Sequence, residues 1–264
     1  MMPMLLLFTV PILVSAGKEP GVERHAADPQ VNALLAPIRD KYDLPGIVGG
    51  IVRGDKLVAV GVAGIRKSGS PEMMTVDDQV HIGSDTKAMT ATRIAILVEQ
   101  RKLSWDSTLA SVFSDLKDGM YADYRKVTLA ELLTHRAGLP ANPVSWWGLG
   151  SSKPTTEQRL TLLKQVLKEP PKTKPGTKYE YSNVGYGLAA AMAERVTHSS
   201  WEDLMREGLF KPLEMTSAGF GPPGEKGKVD QPWGHVLTKG KLKPSQVDNA
   251  PAIGPAGTVH CSLP

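Results

Sequence analysis

Apolar residues at Val31, Leu34, Leu35, Ile38 and Tyr42 recur at helical spacing. Asp28 and Pro29 stand before them as N-cap and first helical residue, and Pro37 within the stripe predicts a kink or an early stop. The pattern then changes period. Residues 47–52 and 57–62 are β-branched-rich runs separated by Arg53-Gly54-Asp55-Lys56, the signature of a hairpin with a Gly-Asp turn. From Ser84 the chain turns helical again: Ala88, Ala91, Ile94, Ala95 and Val98 continue the face that carries Ser84 and Lys87, which predicts burial along that side. Thr128 and Glu131 form a capping box for a short helix ending near Thr134. Leu160, Leu163, Val166 and Leu167 mark another helix, closed by Pro170-Pro171. A further helix is expected over residues 183–196, with Ser199 and Glu202 capping the next. One helix, one hairpin and a long helical block describe an α+β arrangement, with the rest of its sheet not visible in the pattern.

Composition narrows the class. The chain has 264 residues, 41% apolar and 22% charged, enough to bury one large core. Its net charge of +4 is spread along the chain with no basic run among aromatics, which argues against nucleic acid as a partner. Residues 1–16 read as an export signal: residues 4–14 are mostly apolar and Val14-Ser15-Ala16 offers small residues for cleavage before Gly17. The run is too short to span a bilayer, so a secreted or periplasmic location follows, with a linker at 17–27 and one domain from 28 to 264. A single cysteine, Cys261, excludes an internal disulfide and lies outside any Cys-His signature.

The chemistry concentrates at Ser84-Asp85-Thr86-Lys87. A Ser and a Lys three apart at a helix start share one face. An amine within reach can take the proton of a hydroxyl that is otherwise a poor nucleophile at neutral pH. The same serine is also a natural N-cap, and the lysine a natural solvated residue. Tyr181-Ser182-Asn183 follows later, in the string from Pro175 to Tyr186. Asn183 alone reads equally as a helix cap, and Tyr186 as a packing aromatic.

These two motifs together make the chain resemble the serine β-lactamase and penicillin-binding superfamily, on the branch with class C β-lactamases, D-alanyl-D-alanine carboxypeptidases and family VIII esterases. In that branch Tyr-x-Asn replaces Ser-Asp-Asn. Leu132-Leu133-Thr134-His135-Arg136-Ala137-Gly138-Leu139-Pro140, the segment from Pro212 to Phe220, and Pro255-Ala256-Gly257 resemble further family strings. The resemblance implies a β-lactamase/transpeptidase-like α+β fold, an antiparallel sheet flanked by helices with a helical subdomain. It implies Ser84 as the acylated nucleophile and Lys87 as proton acceptor, or as the charge that keeps its neighbour deprotonated. Tyr181 would shuttle the proton and activate water, and Asn183 would bind the substrate amide or Lys87. The substrate would be a small molecule (a β-lactam or an ester) or a D-alanyl peptide of peptidoglycan, with no cofactor. His135 invites a Ser-His reading, but the family loop that it matches is structural. No histidine or cysteine spacing suggests a metal, and no phosphate loop is present. Trp146-Trp147 suits a substrate rim or a core equally.

One departure stands out. The third family motif, Lys-Thr-Gly or His-x-Gly on a strand, is absent; Thr238-Lys239-Gly240 has those letters in another order and precedes the Pro-Ala-Gly element. The chain therefore reads as a C-terminally truncated member whose final strands, with one oxyanion N–H, lie beyond Pro264. Loss of one such donor costs about 10²- to 10³-fold in rate. The alternative to a hydrolase is a relative that is acylated without turnover, or only binds.

Overall fold

The computed structural model describes residues 26–143, 145, 149 and 152–264. The proposed export signal, most of the linker and Trp146-Trp147 lie outside the described residues. Helix α1 (Pro29–Lys41) begins as its sequence dictates: the Asp28 carboxylate accepts from Gln30 N at 2.7 Å, and Pro29 occupies the first turn. Pro37 does not stop it. The Ala33 carbonyl that Pro37 leaves without a partner lies on the exposed side, where water can satisfy it. The apolar stripe is only half used, with Val31 buried and Leu34, Ile38 and Tyr42 exposed.

The expected hairpin forms as β1 (Gly46–Arg53) and β2 (Lys56–Gly64), antiparallel around Gly54-Asp55. Gly49 sits opposite Gly61, and the pair gives the hairpin a smooth face. A Cβ at Gly61 would lie 2.6 Å from Val31, and one at Gly49 3.0 Å from Leu35, so the glycines let α1 lie close on the sheet. Asp28 N donates to Val60 O, and Val62 N to Asn32 Oδ1, locking that contact.

Among the described residues the strands make three antiparallel sheets. One is β1–β2. A second has the order β3 (Val80–His81), β7 (Val259–Cys261) and β4 (Gly219–Phe220), and the third pairs β5 (Gly234–Thr238) with β6 (Lys241–Ser245). Lys239-Gly240 is the turn of that last hairpin, directly after Thr238 at the end of β5. Strand β7 matters most for function, because it pairs with the segment leading into Ser84.

The helical core is built on α2 (Thr86–Glu99) and α6 (Asn183–Thr197), wrapped by α3 (Leu109–Val112), α4 (Leu129–Leu133) and α5 (Thr155–Val166). Helix α6 is buried on every side from Val184 to Glu194, which its run Ala189-Ala190-Ala191 permits by keeping the cylinder thin. Thr128 and Glu131 form the capping box of α4 as expected. The cap of α7 (Trp201–Met205) falls one residue later than its sequence suggests: Ser200 accepts from Asp203 N, while Glu202 is drawn to Arg159 at 2.7 Å. Arg159 is fully buried, and it also meets Glu194 at 2.6 Å and donates to Pro251 O. Those bonds satisfy a charge that would otherwise be costly to bury. Among the described residues no helix is long and apolar enough to cross a membrane.

Candidate active site

Ser84 lies in a 3-10 turn, Gly83–Asp85, and the α-helix proper begins at Thr86. The tighter winding of that turn rotates Ser84 relative to the helix that follows. The buried residues of α2 are Thr86, Lys87, Thr90, Arg93, Ile94 and Leu97; of the expected face Lys87 and Ile94 are buried, Ala91, Ala95 and Val98 half-buried, and Ser84 and Ala88 exposed. Ser84 caps nothing through its side chain. Its Oγ shares a hydrogen bond with Tyr181 Oη at 2.8 Å and receives one from Lys87 Nζ at 3.1 Å. Three of the four predicted residues thus converge on one oxygen.

Lys87 is only 6% exposed. Its Nζ donates to Ala256 O at 2.6 Å and stands 4.7 Å from the centre of the Tyr181 ring. Among the described residues no carboxylate pairs with it. The nearest neighbours of this buried side chain are a hydroxyl, a carbonyl and two phenol rings, those of Tyr181 and Tyr186. Burial pushes the Tyr181 phenol up. Hydrogen bonding to Lys87 and Ser84, together with the Lys87 charge, outweighs that and holds it below the usual tyrosine range. The residue remains 41% exposed, with its oxygen bonded to Ser84.

Of the two roles expected for Asn183, the substrate amide or Lys87, no hydrogen bond to Lys87 is present among the described residues. Asn183 does not cap α6; Ser182 does, accepting from Gly185 N at 3.0 Å. Asn183 Nδ2 donates to Asn142 Oδ1 at 2.8 Å at the edge of the site. Among the described residues no donor reaches the Asn183 Oδ1, so this amide can still address a substrate.

The string 132–140 is the frame for this segment. Glu180 N donates to His135 O, Ser182 N to His135 Nδ1, Ser182 Oγ to Pro140 O, and Asn183 N to Ala141 O. Gly138 turns that loop at φ +67°, and a Cβ there would fall 2.1 Å from Thr173 O.

The opposite wall was not legible in the residues taken singly. Thr90 Oγ1, Lys87 Nζ and Asn249 Nδ2 donate in turn to the carbonyls of Pro255, Ala256 and Gly257. The Pro-Ala-Gly string is thereby fixed along α2, and β7 follows it. Val259 N donates to Thr86 Oγ1, and Ile82 N to Val259 O. Next to Ser84, Gly83 N donates to His81 Nδ1, while His81 Nε2 meets Asp248 at 3.0 Å. Asp248 also accepts from Thr258 Oγ1 and Asn249 N, and these bonds hold its carboxyl below the usual range against the upward push of burial. The Ser84 N–H donates to no acceptor among the described residues, leaving it available to a ligand oxygen. A cavity of about 830 Å³ between α5 and Pro170 is lined by none of Ser84, Lys87, Tyr181 or Asn183, so chemistry rather than volume locates the site.

Known proteins share the family and the fold. The model of the family described as Beta-lactamase matches residues 31–263. Protein flp of Staphylococcus aureus (strain COL) is 24% identical over 202 residues, covering 76% of this chain and 40% of its own length. The unguisins hydrolase ungD' of Aspergillus campestris is 25% identical over 185 residues, 67% of this chain and 34% of its own length. Among solved structures, the D-alanine carboxypeptidase AmpC from Burkholderia cenocepacia superposes with a TM-score of 0.71 at 25% identity, over 88% of this chain and 60% of that one. The octameric penicillin-binding protein homologue from Pyrococcus abyssi gives 0.70 at 23% identity, over 89% and 53%. The chain thus spans about two fifths or less of the length of these curated relatives.

Proposed function

The chain belongs to the Beta-lactamase family, and from that membership we propose that it is a serine hydrolase working through an acyl-enzyme on Ser84. One observation carries the proposal: the Ser84 hydroxyl is held between the Tyr181 phenol and the buried Lys87 amine, at 2.8 and 3.1 Å. Ser84 Oγ bonds to the substrate carbonyl carbon as its proton passes to the Tyr181–Lys87 pair. The Ser84 N–H receives the carbonyl oxygen as it takes up charge. The pair then returns the proton to the leaving group as its bond to the carbonyl carbon breaks. Water repeats the sequence: its oxygen bonds to the acyl carbon, its proton goes to the pair, and Ser84 departs with that proton.

Lys87 keeps Tyr181 poised by electrostatics, so a phenol can act as a base at a pH where it would otherwise stay protonated. Asn183 is assigned to the substrate amide, steadied by Asn142. The substrate class is a β-lactam, an ester or a D-alanyl peptide. These share the acylation step and differ in how fast water attacks the acyl-enzyme. The apolar run at residues 4–14 supports export to the periplasm or beyond, where peptidoglycan peptides are found.

The test is turnover of a chromogenic cephalosporin, a p-nitrophenyl ester and a D-alanyl-D-alanine peptide by the full chain, beside Ser84→Ala. Turnover of at least one, abolished in Ser84→Ala, is the expected result. A stoichiometric burst without turnover would assign the chain instead to relatives that are acylated and stall. Equal turnover by both proteins would overturn the proposal.

A further inference from the structure

His135 lies beside the proposed catalytic group without touching Ser84, and nothing in the acyl-transfer scheme uses it. It is nine-tenths buried in the turn after α4, in the left-handed region at φ +60°. Few residues other than glycine accept that conformation; Asn, Asp and His do so most readily. The turn brings both its polar groups to bear on the stretch around Tyr181. The His135 carbonyl accepts Glu180 N at 2.7 Å, and Nδ1 accepts Ser182 N at 3.1 Å, so Tyr181 is bracketed by two bonds to one residue. The imidazole also lies against the Tyr181 ring, at 4.6 Å between centres and 34° between planes, with Tyr186 at 5.4 Å and Tyr179 edge-on at 5.5 Å.

We propose that His135 is the positioning residue for Tyr181: its neutral imidazole, accepting the Ser182 N–H and backing the phenol ring, sets the Tyr181 oxygen against Ser84 and Lys87. This rests on the acyl-transfer role given to Tyr181 above. An Nδ1 that accepts a backbone N–H carries no proton, so the ring proton is on Nε2. Among the described residues the titratable and charged groups facing the ring are the phenols of Tyr179, Tyr181 and Tyr186 and the Lys87 amine, none of them a carboxylate. Burial first, and then the Lys87 charge, hold the imidazole below its usual range, so it stays neutral at physiological pH. Protonation at lower pH places a second N–H against the Ser182 N–H and a second cation beside Lys87. Both effects release the Tyr181 segment.

His135→Asn separates this role from mere bulk. Asparagine tolerates the left-handed backbone and keeps an acceptor for Ser182 N, but it has no ring and does not titrate. Two readouts apply to the full chain. The first is the ¹³Cζ-tyrosine NMR titration of Tyr181, assigned with Tyr181→Phe, which does not depend on any activity. Tyr181 is expected to ionise below the ordinary tyrosine pKa in the wild type, and closer to it in His135→Asn. The second is the pH dependence of fluorophosphonate labelling of Ser84. The variant is expected to label about 10- to 100-fold more slowly at pH 7.5, from misplacement of the phenol, and to lose the wild-type acid limb. A folded His135→Asn with an unchanged Tyr181 titration would overturn the proposal, as would an acid limb superimposable on that of the wild type. Failure of the wild type to label at all would count against the serine-hydrolase assignment, leaving the NMR result to decide the role of His135.

Discussion

Replacing Lys87 by methionine separates its charge from its bulk, and the structure gives a large expected effect on activity and a small one on stability. At 4.7 Å from the Tyr181 ring centre, a full charge interacts with a phenolate by about 3.5 kcal/mol at an effective dielectric of ~20. The residue is 41% exposed, so solvent screening brings this down to about 1–2 kcal/mol. With the amine gone, burial still pushes Tyr181 up, while the Lys87 contributions that hold it down are lost. Its ionisation is therefore expected to move from below the ordinary value of about 10 to that value or above. The working base fraction at neutral pH falls accordingly, and the Ser84 hydroxyl loses its 3.1 Å donor. Acylation should drop by about 10²- to 10⁴-fold, the usual worth of positioned acid–base catalysis. Stability moves little. Removing a buried ammonium with no carboxylate partner relieves desolvation, and the Ala256 carbonyl left without its donor costs about 1–3 kcal/mol. The assay is the Tyr181 NMR titration with the rate of fluorophosphonate labelling and a urea melt. A Lys87→Met protein that labels within tenfold of the wild type, with Tyr181 ionising where it did before, would refute the electrostatic role of Lys87.

The frame around the site yields two further expectations. Arg159→Met strands Glu194 and Glu202 in or near the core, and should destabilise the fold by about 3–5 kcal/mol, read as a lower urea midpoint with little change in slope. Gly138→Ala forces a Cβ into the space of Thr173 O at a positive φ. It should cost at least about 1–3 kcal/mol and slow Ser84 labelling, because the same loop carries His135 and Pro140. A Gly138→Ala protein with wild-type Tm would contradict that account of the loop.

Much of the fold is legible in the residues because local signals there have no competitor. Asp28-Pro29, Gly54-Asp55 and Thr128 with Glu131 each act through backbone bonds to near neighbours, and each element forms where its signal stands. The signals that misled are those a tertiary partner redirected. Glu202 leaves its helix end for Arg159, so Ser200 takes over the cap. Segment 255–256 draws Lys87 and Thr90 inward, so the buried face of α2 is offset from Ala88. Leu34, Ile38 and Tyr42 have helical spacing but no element over them among the described residues. In the site, Ser84, Lys87 and Tyr181 meet as their motifs imply. The carbonyls of Pro255 to Gly257 and the His81–Asp248 pair could not be read, because backbone acceptors and long-range contacts leave no local pattern.

Intact-mass analysis of the purified chain after exposure to a fluorophosphonate, beside Ser84→Ala, tests the central claim most directly. A single adduct on the wild type and none on the variant is the predicted result, showing that the Ser84 hydroxyl is activated in this chain. An unmodified wild type, or an adduct that persists in Ser84→Ala, would contradict it.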